Sequence, residues 1–356
     1  MQHIGIDRTL IFCLLCLVVL GIIFVYSSSY YRAMRRGEDS TFYLFGHLKR
    51  LAIASIFFFL GLIIPYEIIR KIIFPLLIII VLVLMVTLIF GRVQYGARRS
   101  LSLLSTFGFQ VSEFVRIWLV FFLANFFDSH PRTASTGKGM LTTISICLFV
   151  ILLVAIQPSI SMAVICFLIL IFMLIYGSTK FRLLLPTMAI SFGMLIFFVL
   201  VFPHARDRIT DFVNHPTYQV QQSLIAIGSG GVFGKGPGAG LQKFLFLPRI
   251  HNDFIFSHVA EEFGFIGSLI VFVLYWQIYL RGLFTAGSVG DDFERLLVLG
   301  LNMSIFIIFL IHVGVSIGLL PPTGIPLPFI SFGGWSLSAN LFAMGIILQA
   351  SRKRII

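Results

Sequence analysis

Across 356 residues the chain is 58% hydrophobic and only 11% charged, holds 40 phenylalanines and has a mean hydropathy of +1.03. No water-soluble fold buries that much apolar surface, and its long continuous apolar runs, unlike alternating segments of ~10 residues, exclude a β-barrel. The formal net charge of +12 has no soluble basic domain to carry it, which argues against a nucleic-acid partner and for anionic headgroups or a phosphate-bearing lipid.

The pattern is that of an all-α polytopic membrane protein, a single integral membrane domain over 1–356. A spanning helix needs roughly 20 mainly apolar residues. About ten segments qualify: Thr9 to Tyr26, Leu51 to Pro65, Ile72 to Phe90, Val111 to Phe127, Leu141 to Ile156, Ile160 to Tyr176, Leu183 to Phe202, Phe254 to Leu280, Leu296 to Leu319 and Phe329 to Ala350. The first has no small-residue cleavage site after it and reads as a retained helix rather than a signal peptide. Cys13, Cys16, Cys147 and Cys166 all fall inside apolar runs and read as small packing residues.

Two connections are substantial. Ser27 to Arg50 carries Arg32, Arg35, Arg36, Glu38 and Asp39. The other, 203–253 between helices 7 and 8, is too polar to span and reads as a large extracytoplasmic loop. Within it Tyr218 to Ile227 is expected to form a short amphipathic helix at the interface. Lysines and arginines divide about evenly between the two faces, so their bias does not orient the chain. The Arg352-Lys353-Arg354 tail and the long loop favour both termini inside.

Chemistry is most concentrated where polar residues interrupt the spans. Glu113 and Arg116 are i,i+3 neighbours at the head of the fourth span. An unpaired charge there costs about 2.5 to 3.5 kcal/mol, so the two are expected to pair, either as a structural ion pair or facing a hydrated substrate groove. Arg98 and Arg99 lie at the outer mouth, where guanidiniums suit a pyrophosphate bidentately or simply snorkel to the interface. Four prolines in Leu320-Pro-Pro-Thr-Gly-Ile-Pro-Leu-Pro328 forbid regular helix, so this block should be extended and line a cavity.

Gly228 to Gly240 invites a phosphate-loop reading that fails. Lys235 follows Gly234, but Ser229 stands five places before it and Gly236 occupies the Ser/Thr position. The glycine density suits either a mobile cover over a substrate groove or backbone N–H groups offered to an anion. Asp253, flanked by His251 and Asn252 at the head of the eighth span, is either a general base with a raised pKa or a helix cap. Glu261 and Glu262 follow it, and His258 with Glu261 completes no metal-ligand pattern.

The chain resembles the SEDS family (shape, elongation, division and sporulation) of RodA, FtsW and SpoVE. The resemblance rests on Tyr218 to Gly236, Leu247 to Gly267 and, most specifically, Leu319 to Gly334, with weaker matches at GARRSLSL, QVSEFVRI and YSSS. It implies a ten-helix peptidoglycan glycosyltransferase of the bacterial plasma membrane. Such an enzyme polymerises lipid II beside a class B penicillin-binding protein and other elongation or division proteins. The family's essential aspartate falls on Asp253, and the Glu and Lys of its Q-P-S-E-x-x-K motif fall on Glu113 and Arg116. Departures stand at Val111, Arg116, Ser159, Arg249 and Trp335, where the family usually has Pro, Lys, Asp, Glu and Ser.

The resulting expectation makes Asp253 and Glu113 catalytic. Arg116, Arg98, Arg99, Lys49, Arg50, Lys243, Lys235 and Ser331 are expected to bind substrate. A divalent cation could share in neutralising the pyrophosphate, although no ligand set is visible. The rival readings are a lipid II flippase and a non-catalytic scaffold for the transpeptidase. Features leaning to RodA (Thr-Gly-Ile-Pro-Leu-Pro, Gly-Ser-Gly-Gly) and to FtsW or SpoVE (Gln242-Lys243) oppose each other, leaving elongation and division both open.

Overall fold

The computed structural model describes residues 5–90, 92–94, 97–100, 110–130, 137–157, 159–177, 217–244 and 246–352, with isolated positions between 185 and 212; for 92–100 and Gly137 it describes backbone only. The predicted seventh span, Leu183 to Phe202, lies outside the described residues apart from isolated positions, as does Pro158. Ten helices and one hairpin are described: α1 (Arg8–Arg35), α2 (Phe42–Ile63), α3 (Tyr66–Phe90), β1 (Arg92–Gln94), β2 (Ala97–Ser100), α4 (Ser112–Ser129), α5 (Gly137–Ile156), α6 (Ile160–Tyr176), α7 (Tyr218–Gly230), α8 (Ile255–Gly287), α9 (Asp292–Ser316) and α10 (Gly334–Ser351). The antiparallel hairpin pairs Gln94 with Ala97 and was not foreseen.

Six of these helices are long and apolar enough to cross a bilayer: α1, α2, α3, α5, α8 and α9. The chain is a multi-pass membrane protein. α4 and α10 fall outside that set by composition, yet they are the most buried elements beside α9. At 18 residues each they are about 27 Å long. Helices wrapped by other helices need no lipid-facing surface, so they tolerate Glu113, Arg116 and Asn340.

Local chemistry sets the helix ends. The Asp7 carboxylate accepts from the N–H groups of Thr9 and Leu10, capping α1. Gly37 adopts φ +76 and sends its N–H to the Met34 carbonyl, while Glu38 bonds Ala33, a left-handed stop that only glycine adopts without strain. The segment from Ser27 to Arg50 is therefore not the long loop the sequence suggested. α1 continues to Arg35 and α2 starts at Phe42, which leaves a short turn. Basic residues had marked the segment as a loop, but at a membrane surface they are equally at home on a protruding helix end.

Close helix approach depends on glycine at one crossing above all. A Cβ on Gly61 would come within 2.3 Å of the Phe342 carbonyl oxygen, and one on Gly345 within 2.3 Å of the Phe58 carbonyl. α2 and α10 thus meet backbone to backbone, as small residues allow in membranes. At the far end of the bundle Arg281 binds Asp7 at 2.6 Å and the Asp7 N–H donates to Ser351 at 3.1 Å, which brings both ends of the described chain to one face. α8 runs from that clasp to Asp253, so the loop before α8 lies at the opposite face.

Candidate active site

The two acidic stretches at the head of α8 have different structural origins. α8 breaks at Gly264, where φ is +66 and ψ −161. A break inside a membrane frees backbone groups that water cannot satisfy. The glycine-rich loop satisfies them: the Lys235 and Gly236 N–H groups donate to the Glu261 and Glu262 carbonyls, and the Phe265 and Ile266 N–H groups donate to Gly231 and Val232. A Cβ on Gly234 would sit 2.2 Å from the Glu262 carbonyl oxygen. The glycine density, which suited either a mobile cover or an anion-binding backbone, lets the loop lie directly on α8.

Side chains complete that docking. Lys235 pairs with Glu261 at 2.9 Å, and Glu261 also accepts from the Leu241 N–H at 2.7 Å. Lys243 pairs with Glu262 at 2.8 Å and donates to the Gly238 carbonyl. Ser27 of α1 donates to Glu262 at 2.8 Å. Lys235 and Lys243, expected to meet substrate, are both engaged within the protein, and Lys243 is sealed at 1% exposure. α7 forms as anticipated, extending to Gly230, and buries Val220, Ser223 and Ala226. Ser223 meets Ser257 at 2.5 Å, fixing α7 to α8.

Asp253 is held by other means. The helix begins at Ile255 with Phe254 in the capping position, so Asp253 stands one residue outside it. Its loop is stitched to the proline block: the His251 carbonyl accepts from the Phe332 N–H at 3.0 Å, and the Asn252 carbonyl accepts from Ser331 at 2.7 Å. The Ser331 hydroxyl also accepts from the Leu327 N–H at 2.9 Å, so this expected substrate residue is buried and joins two backbone segments. Gly324, at φ +69, leaves room above the block. A Cβ there would lie 4.0 Å from Asp253 Oδ2. The Asp253 carboxylate accepts from Asn252 Nδ2 at 2.8 Å and faces Arg249 Nη1 at 3.6 Å.

Gly324 also borders a cavity of about 40 Å³ lined by Glu113, Gln110, Ser159, Ser161 and Thr323, room for a few waters. The proline block is extended and lines a cavity, as expected. Glu113 meets Arg116 at 3.4 Å. Arg116 also donates to Ser304 at 3.1 Å and to Asn340 at 2.7 Å, and it is wholly buried. Arg116 therefore joins α4, α9 and α10, which is the structural alternative of the two left open by its sequence. Glu113 belongs partly to that network and partly to the cavity.

Around His251 a cationic shelf forms that the motifs did not reveal. Tyr43 and Phe332 lie 5.1 and 5.6 Å from the His251 ring. Arg50 stacks 3.7 Å over Phe332, and Arg36 donates to the Tyr43 hydroxyl at 2.8 Å. Burial, together with the guanidiniums of Arg32, Arg50, Arg36 and Arg249, pushes the His251 imidazole down to about 3, so it is neutral at pH 7. Of the residues expected to bind substrate, Arg50 stands here, whereas Lys49 is exposed on α2. The side chains of Arg98 and Arg99 lie outside the described residues. Arg249, four residues before Asp253, was visible in sequence only as a departure from a pattern.

Among the described residues no three His, Cys, Asp or Glu converge.

A family model described as cell cycle protein, covering FtsW, RodA and SpoVE, matches residues 7–355. The chain belongs to the FtsW/RodA/SpoVE family. It is 31% identical over 354 residues to the probable peptidoglycan glycosyltransferase FtsW of Trichlorobacter lovleyi, covering 97% of this chain and 93% of that one. It is 32% identical over 355 residues to the stage V sporulation protein E of Bacillus subtilis, covering 97% of each. Its fold matches, with a TM-score of 0.81 at 24% identity over 98% of each chain, a structure showing how a peptidoglycan synthase complex coordinates polymerization and crosslinking.

Proposed function

We propose that this protein is a peptidoglycan glycosyltransferase that polymerises lipid II at the outer face of the bacterial plasma membrane, with both termini cytoplasmic. The observation carrying this reading is Asp253, a nearly buried carboxylate at one face of the bundle beside a shelf of arginines. Membership of a family that includes a probable peptidoglycan glycosyltransferase supports it. A class B penicillin-binding protein that crosslinks the product is the partner this reading implies.

In the reaction, the Asp253 carboxylate takes the proton of an acceptor sugar hydroxyl. That oxygen forms a bond to the donor anomeric carbon from the face opposite the diphosphate, and the carbon–oxygen bond to the lipid diphosphate breaks. The electron pair leaves with the diphosphate, and the anomeric centre inverts. The guanidiniums of Arg50, Arg36 and Arg32 neutralise the charge developing on that leaving group. Glu113 lies across Gly324 from Asp253, where it holds water and the Arg116 network in place rather than meeting the sugar.

The test is polymerisation of lipid II by purified Asp253→Asn protein. Strand synthesis at the parent rate would remove Asp253 as the base. Lipid II crossing a vesicle membrane with no polymer formed would replace the enzyme with a transporter.

A further inference from the structure

The apolar side chains that α8 turns outward form a band with a sharp upper edge. Phe265, Ile266, Leu269, Ile270, Trp276 and Phe284 are all exposed, and no charged residue interrupts the helix between Phe265 and Leu280. The helical rise from Phe265 to Phe284 is about 28 Å, close to the roughly 30 Å of a bilayer's hydrocarbon core. On the other side of Gly264 the band stops, since residues 255–262 are all buried. The edge of the band and the break in the helix coincide.

At that level the glycine-rich loop adds two apolar side chains that face away from the protein. Val232 is 56% exposed and Phe233 81%, the highest value for any large hydrophobic residue among those described. Backbone contacts fix their position. The Phe265 and Ile266 N–H groups donate to the Gly231 and Val232 carbonyls at 2.9 and 3.2 Å, and the Gly234 N–H donates to Gly230 at 2.8 Å. Residues 228–234 carry no charge, and Lys235, the next residue, pairs with the buried Glu261 at 2.9 Å. A loop surrounded by water is expected to do the reverse, turning its aromatic residue inward and its lysine outward.

We propose that Val232 and Phe233 form a membrane wedge, seated among phospholipid acyl chains at the headgroup boundary of the leaflet on the Asp253 side. The lipid-facing surface of α8 then continues onto the loop without a gap. Lipid suits this face better than another helix does. Packed membrane helices approach through small residues, as Gly61 and Gly345 do, whereas this face is built of large ones. The wedge holds the loop, and the two glutamates pinned to it, at a set depth in the bilayer. It requires only that α8 cross the membrane and is independent of the glycosyltransferase reading.

Phe233→Trp tests the proposal, because so exposed a side chain can be exchanged for another aromatic without repacking the core. The full chain is placed one copy per lipid nanodisc, so that neither a second copy nor another protein covers the patch. The three native tryptophans are common to parent and variant, so the difference in emission reports position 233. With phospholipids brominated near the headgroup end of the acyl chain, that difference emission is expected to lose most of its intensity. Bromine near the chain methyl should quench it less, and aqueous iodide only weakly. Strong quenching by iodide with none by bromine would place Phe233 in water and overturn the proposal. Shielding from both quenchers would place it against protein and overturn the proposal equally.

Discussion

The acidic residues on either side of the α8 start behave as opposites. At Glu261 and Glu262 every strong acceptor is matched by a lysine, a backbone N–H or a serine, and both residues are at most 1% exposed. At Asp253 the contacts include an amide on one oxygen and an arginine, about one-third exposed, 3.6 Å from the other. Saturated carboxylates hold backbones together. The Asp253 carboxylate instead stays partly open, at 9% exposure. Sequence distance says nothing of this, since Asp253 and Glu261 are eight residues apart.

The comparison yields four measurements of decreasing size. Asp253→Asn is expected to lower kcat for lipid II polymerisation about 10³- to 10⁴-fold with thermal stability in detergent unchanged, as for loss of a general base. Loss of stability instead would place Asp253 with the structural acids. Glu262→Ala leaves Lys243 buried without its carboxylate, so it should destabilise the protein by about 3 to 5 kcal/mol in a melting experiment. A variant that melts like the parent would show that the lysine is not sealed.

The pH response of stability comes next. His251 is held neutral with its folded pKa lowered to about 3, against about 6.5 for an ordinary histidine. Between those values the unfolded chain binds more protons than the folded one. The contribution is therefore favourable above about pH 6.5 and is lost as pH falls toward 3, by up to about 1.4 kcal/mol per pH unit. Melting temperatures of parent and His251→Phe protein should diverge below pH 6 and run parallel above it. Smallest is Ser331→Ala, which removes a hydroxyl bridging two backbone segments and should cost about 1 kcal/mol, with a modest rise in KM as the Asp253 loop loosens.

Much of the scaffold was legible because a bilayer imposes one demand, a long apolar helix, on every crossing. Ile160–Tyr176 was located to the residue. Four prolines forced the extended block, and the spacing of Glu113 and Arg116 forced their pairing. One misreading has a plain cause. The basic run from Arg32 to Arg50 was judged by charge alone. Whether a cation meets solvent, a ligand or a buried glutamate depends on which helix lies opposite, and that is tertiary information. The shelf of Arg32, Arg36, Arg50 and Arg249 escaped notice for the same reason, since its members come from three separate stretches of chain.

The break at Gly264 has a mechanical consequence. An unbroken α8 would be a single stiff rod from Ile255 to Gly287, and any tilt of its upper end would have to drag the membrane-embedded shaft along. With the ladder interrupted and cross-linked to residues 231–236, the first two turns are fastened sideways to α7 and the loop. α7, the glycine loop and residues 247–263 thus form one hydrogen-bonded block, which Ser27 ties to α1, Ser223 ties to α9, and the His251 and Asn252 carbonyls tie to the proline block.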